Sequence, residues 1–215
     1  INREWAVLIG AFLLVPVFSF LIQAEEITDY ILLLVGFGIL GYILFNAFKS
    51  DEKEEGQRLL VFMALFFVHM IFWALFEQAG GSINILTDRY VNKHGIETSQ
   101  FQSVNALFII LLAPVFTWIW TVLGRKKLEP RTPMKFFYAM LQIALGYFII
   151  VVGAKSILPE VNEGGLIPIV FVLGMYLFHT TGELSLSPVG LSVVTKLSPV
   201  KTVGFVMGSW FVSIA

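Results

Sequence analysis

Seven apolar stretches follow one another along this chain, and that succession limits its fold more than any single motif does. At about 1.5 Å rise per residue, a helix crosses a hydrocarbon core in about 20 predominantly apolar residues. The stretches Trp5–Ile22, Tyr30–Phe48, Leu59–Thr87, Phe101–Leu123, Met134–Val152 and Leu166–Thr195 meet or approach that length, and Thr202–Ala215 begins a seventh. Hydrophobic residues make up 57% of the 215 and charged residues 13%. A domain of this size has too little interior to hide so much apolar surface, so a lipid bilayer must cover the remainder. The expected class is an all-α membrane protein.

Lysine and arginine divide unevenly between alternate connections. One set carries Arg3; Lys49, Lys53 and Arg58; Arg125, Lys126, Lys127, Arg131 and Lys135; and Lys196 and Lys201. The other carries Arg89, Lys93 and Lys155. The split of 11 against 3 places the first set in the cytoplasm. It also supports the span count, since one missed span would scramble the alternation. The expected location is the inner (plasma) membrane, multi-pass. The net charge of −1 offers no basic face for nucleic acid. The absence of cysteine excludes disulfides, thiolate metal sites and cysteine nucleophiles. The chain opens Ile1-Asn2-Arg3-Glu4 and stops at Ala215 inside an apolar run, so both ends are expected to be cuts in a longer protein.

Two spans hold a carboxylate where none is expected. Glu77 is the only formal charge between Leu59 and Thr87, and Glu183 the only one between Gly164 and Thr195. An ionised side chain deep in a span costs at least about 3 kcal/mol, so it must be paired, protonated or facing water. One reading is a structural ion pair, or a carboxylate near enough to an interface to reach water. The other is a binding or proton-carrying group. Trp73, Phe76 and Glu77 share a helix face at i, i+3 and i+4, as do Glu183 and Ser187. Trp73 and Phe76 are either pocket walls or packing residues. Asn105 is either a substrate contact or an interhelical hydrogen bond. His69 and His179 read as packing histidines. The His179–Glu183 spacing, without a second histidine pair, does not make a metal site. Pro188 withholds a backbone amide and is expected to kink the sixth span. Gly80-Gly81 is expected to weaken the third beyond Glu77. Ser99 to Gln102 offers a cap for the fourth helix. Gly36, Gly38 and Gly41 fit the dinucleotide glycine pattern only by letters, and inside an apolar span they are expected to serve close helix packing.

Two segments resemble a known family. Phe72-Trp-Ala-Leu-Phe-Glu-Gln78 is similar to the motif in the seventh helix of proton-dependent oligopeptide transporters. Gly182-Glu-Leu-Ser-Leu-Ser-Pro-Val-Gly-Leu-Ser192, continuing to Pro199, resembles the longer signature of their tenth helix. Gln102-Ser-Val-Asn105 and the residues to Pro114 resemble the eighth. The likeness covers about Arg58 to Ala215. It implies the major facilitator superfamily fold, of which this chain would be the C-terminal helical bundle from helix seven into eleven. Residues 1–48 would be two inserted transmembrane helices, 49–58 a cytoplasmic linker and 59–215 the bundle. The N-terminal six-helix bundle, with its Glu-x-x-Glu-Arg motif and partner lysine, would lie elsewhere in the same protein.

The resemblance implies roles residue by residue. Glu183 matches the carboxylate that receives a peptide's amino terminus. Asn105, Trp73, Phe76, Ser187, Trp210 and Phe211 match substrate-binding positions. Glu77 matches the proton-coupling acid, and Leu191 and Met207 the cytoplasmic gate. The implied activity is proton-driven symport of di- and tripeptides by alternating access, not an enzymatic reaction. Protons are the coupling ion, and no cofactor or metal is implied. The alternative is a same-fold carrier of another small solute, such as nitrate or a peptide-like drug. Glu183 favours an amine over an anion.

Overall fold

The computed structural model describes residues 3–50, 52–157, 165–199 and 202–214. Side chains at 187–189 and 191 fall outside that description, so the placement of Ser187 and Leu191 does too. Among the described residues the elements are almost all helical: α1 (Arg3–Gln23), α2 (Glu25–Lys49), α3 (Lys53–Phe76), α4 (Ser82–Tyr90), α5 (Gln102–Arg125), α6 (Thr132–Ser156), α7 (Ile169–Leu197) and α8 (Val203–Val212). A 3₁₀ turn, Glu77–Ala79, separates α3 from α4, and a second, Thr98–Phe101, leads into α5. Glu25–Lys49, Lys53–Tyr90, Thr98–Arg125, Thr132–Ser156 and Ile169–Leu186 are long and apolar enough to cross a membrane. Val7–Gln23 and Val203–Val212 are shorter apolar helices at the two remaining expected spans.

Two features agree with the alternation of the connections. Val91 and Asn92, after α4, pair in parallel with Ile167 and Pro168, before α7. These connections both belong to the lysine-poor set, so that set meets at one end. At the other end one cavity is lined by Arg131, Lys135 and Lys196, and another by Lys49, Glu52 and Thr202. The lysine-rich connections therefore converge as well.

Apolar side chains point outward over much of the surface. Phe12 on α1 is 78% exposed, and α5 contains no buried residue among those described. Such faces are tolerable only against lipid. The interior is in two clusters. One joins α2, α3, α6, α7 and α8 through Ile43, Phe62, Phe72, Phe136, Leu186 and Trp210. The other joins α4, α6 and α7 through Ile83, Ile150, Val172 and Met175. Glycine lets α6 and α7 come together: a Cβ at Gly146 would lie 2.6 Å from the His179 ring, and one at Gly153 2.6 Å from that of Phe171.

Two local expectations are corrected. A Cβ at Gly36, Gly38 or Gly41 would meet nothing within 4 Å among the described residues, so these glycines mediate no close packing between the helices described. Ser99 does not cap α5; its N-cap is Phe101, without a side-chain bond, because the segment winds into a 3₁₀ turn first. That turn is held from outside, where Asp88 accepts from Thr98 Oγ1 at 2.7 Å and from Lys93 Nζ at 2.6 Å. The third span loses its α winding from Glu77 and resumes it at Ser82, so Gly80-Gly81 lies within the break, as expected. α7, in contrast, is one continuous helix through Pro188.

Candidate functional site

The polar residues of α5 and α7 meet across a short gap. Asn105, in the first turn of α5, donates from Nδ2 to Glu183 Oε2 at 3.1 Å and to Thr180 Oγ1 at 3.3 Å. Thr180 sits one turn before Glu183, is fully buried, and donates to the Tyr176 carbonyl at 2.8 Å. Glu183 is half-buried and makes no ion pair among the described residues. The structural ion pair that the sequence left open is therefore not formed by these residues. A carboxylate so held, with no cation beside it, is a place for a cationic group to bind.

Glu77 occupies the first position of the 3₁₀ turn after α3 and is exposed. Its side chain forms no hydrogen bond or ion pair among the described residues. The two acids stand on elements that pack on one another, since α3 and α7 share the first cluster.

The aromatic residues expected around these acids divide into groups. Trp73 and Phe76 are half-buried on α3, ring centroids 5.2 Å apart. Phe76 stacks on Phe72 and faces His179 at 6.0 Å, so packing occupies much of its surface. Trp73 donates from Nε1 to His69 Nε2 at 2.9 Å. The proton of neutral His69 must then be on Nδ1, which donates to Ser213 Oγ at 2.6 Å; Ser213 in turn donates to the Trp210 carbonyl at 2.6 Å. His69 is thus a satisfied packing residue that ties α3 to α8.

Trp210 is corrected from a pocket wall to a core residue. It is 3% exposed, with its indole against His69 at 4.1 Å and against Phe62 at 5.9 Å. Gly190 clears the space for it: a Cβ there would be 3.1 Å from the indole. Phe211, the next residue round the helix, is 55% exposed and points away from that core. Met207 is half-buried and packs on the first cluster. The structure therefore brings together Asn105, Thr180 and Glu183, while Glu77 follows directly on the helix that carries Trp73 and Phe76. It does not bring Phe211 into that group.

Thr180, His69 and Tyr147 were not singled out from sequence as site residues. Thr180 had a signal, its i−3 spacing to Glu183 on one helix face. Tyr147, whose hydroxyl reaches the Leu75 carbonyl, had none.

A sequence profile described as the POT family matches residues 12–215. The chain belongs to the POT family. It is 41% identical over 176 residues to the peptide transporter YePEPT of Yersinia enterocolitica, covering 80% of this chain and 34% of that protein. It is 27% identical over its full length to dipeptide and tripeptide permease B of Aliivibrio fischeri, of which it covers 43%. A crystal structure of peptide transporter POT in complex with sulfate superposes with a TM-score of 0.76 at 31% identity, over 99% of this chain and 44% of that one. This POT chain thus spans less than half the length of these relatives, and it has the all-helical fold of the family's C-terminal part. It is a multi-pass protein of the inner membrane.

Proposed function

We propose that this chain supplies the C-terminal bundle of a carrier that moves di- and tripeptides inward together with protons. The observation that carries this reading is Glu183, half-buried in α7, held by Asn105 and without a cation beside it among the described residues. The amino terminus common to peptides is an ammonium, and a positioned carboxylate recognises it whatever the side chains are. Asn105 fixes the rotamer of Glu183, and its amide has further capacity for a backbone carbonyl or amide. Recognition limited to the terminus and the backbone leaves the side-chain space permissive.

The names of the relatives support the cargo: a peptide transporter and a dipeptide and tripeptide permease. The carboxylate of Glu183 disfavours nitrate, an anion, as the cargo. Glu77 is the proton carrier in this reading. It is exposed at a helix break, where it can take a proton or face a cation of the N-terminal bundle. Protonation would remove that attraction and let the two bundles rearrange, because only one of the two states loses stabilisation.

The test uses the full-length protein in liposomes with labelled dialanine under an inward proton gradient. Accumulation that a protonophore abolishes and that Glu183→Gln removes is the expected result. Folded protein that takes up no dipeptide under any gradient would eliminate the peptide cargo.

A further inference from the structure

The third span changes its winding at Glu77: the 3₁₀ turn Glu77–Ala79 replaces α-helical bonds by tighter ones, as in the Gly80 N–H to Glu77 carbonyl bond at 3.0 Å. Just before that turn the Leu75 carbonyl, which the Glu77 N–H already faces, also accepts from another helix: the Tyr147 hydroxyl on α6 donates to it at 2.6 Å. A carbonyl has two lone pairs, so the hydroxyl adds to the backbone bond and ties α6 to the end of α3.

Tyr147 is well placed to hold such a bond. It packs against both core clusters, at the level where one gives way to the other. Its ring lies 5.0 Å from that of His179. His179 is 1% exposed. It fits there because Gly146, the neighbour of Tyr147, has no side chain. His179 therefore acts as a wedge that keeps the tyrosine ring against α3. Phe76, on the other side of His179 at 6.0 Å, completes the contact.

We propose that Tyr147 is a positioning residue for Glu77. Its hydroxyl latches the α3 break through Leu75, two residues before the acid, and so sets where that acid stands relative to Glu183. The proposal rests on the reading of Glu77 as the proton carrier, and it adds a residue that touches neither peptide nor proton. Tyr147 acts through the backbone, so its removal alters the coupling of uptake to protons more than the binding of peptide.

The test is Tyr147→Phe in the full-length protein, which removes the hydroxyl and keeps the ring. Gradient-driven dialanine uptake is expected to fall about fivefold, the factor set by one net hydrogen bond. Dialanine counterflow without a gradient should keep its KM and rate. Amide hydrogen exchange at Ala79–Gly81 in the purified protein should rise. Equal loss of counterflow and driven uptake, or unchanged exchange, would each overturn the latch. If the wild type shows no dialanine counterflow, the peptide reading fails, and the exchange measurement still decides on the latch.

Discussion

In α3 the helix stops at Phe76, one residue before its glutamate. In α7 the helix runs unbroken from Ile169 to Leu197, with Glu183 near its middle. The surroundings of the two acids differ in the same sense. Glu183 is half-buried and fixed by Asn105, whereas the Glu77 side chain is exposed and bonded to no described residue. A carboxylate on a rigid helix with a positioned donor suits recognition, because its geometry does not change on binding. A carboxylate at a helix break suits switching, because small changes in the winding move it. The difference assigns two jobs to two acids of the same chemistry.

The strongest attempt to break this contrast is to neutralise each acid in turn. Glu183→Gln should weaken dialanine binding about a hundredfold or more, in driven uptake and in counterflow alike, because an ammonium loses the fixed anion that receives it. Glu77→Gln should abolish the gradient-driven component and leave counterflow near the wild-type rate. Measuring both modes for both variants in liposomes decides the matter. Were the two profiles the same, the acids would form one site and the division of labour would be wrong.

A smaller effect is expected when the donor of Glu183 is removed. Asn105→Ala leaves the carboxylate in place but free to rotate. It also leaves a side of Thr180 Oγ1 without its donor. The KM for dialanine should rise about tenfold, the size of a lost hydrogen bond to a charged group, with the maximal rate little changed. Equal falls in rate and affinity would mean that Asn105 serves the moving part, which would blur the contrast between α5–α7 and α3.

Much of this arrangement could be read from the residues alone, and the parts that could not share a cause. Apolar length and the lysine bias are properties of composition, so the spans and their alternation survive into the structure, where Val91 pairs with Ile167. The two acids were legible because a charge in a long apolar window is rare. Their grouping with Asn105 came from the resemblance, and the hydrogen bond to Glu183 gives it a geometry. What sequence spacing misjudged was contact between distant helices. Trp210 looked like a pocket wall and is core, because Gly190, 20 residues earlier, makes room for it. Glycines of α2 were expected to pack and face open space, while Gly146 accepts His179 from another helix. A kink was expected at Pro188 and a weakening at Gly80-Gly81, where backbone propensity is poor. The break runs from Glu77 to Gly81 and so includes both glycines, and what spacing did not show is the bonding around it: Tyr147 from α6 donates to the Leu75 carbonyl, and Gln78 donates to the Ala74 carbonyl at 3.3 Å.

That last point yields the smallest and most discriminating prediction. If tertiary bonds hold the break, Gly80 is a convenience and not its cause. Gly80 has ordinary right-handed helical angles, φ −85° and ψ −17°, and a Cβ there would meet only the Glu77 carbonyl at 3.7 Å. Gly80→Ala should therefore stabilise the protein by roughly 0.5–1 kcal/mol, through reduced freedom of the unfolded chain and better helix propensity. Its thermal midpoint should rise slightly and its proton-driven uptake should match the wild type. A stabilised variant that transports slowly would mean that the flexibility of Gly80 is used in the cycle. The contrast between α3 and α7 would then be one of backbone freedom, where the bonds of Tyr147 and Gln78 now point to a contrast in how each helix is held.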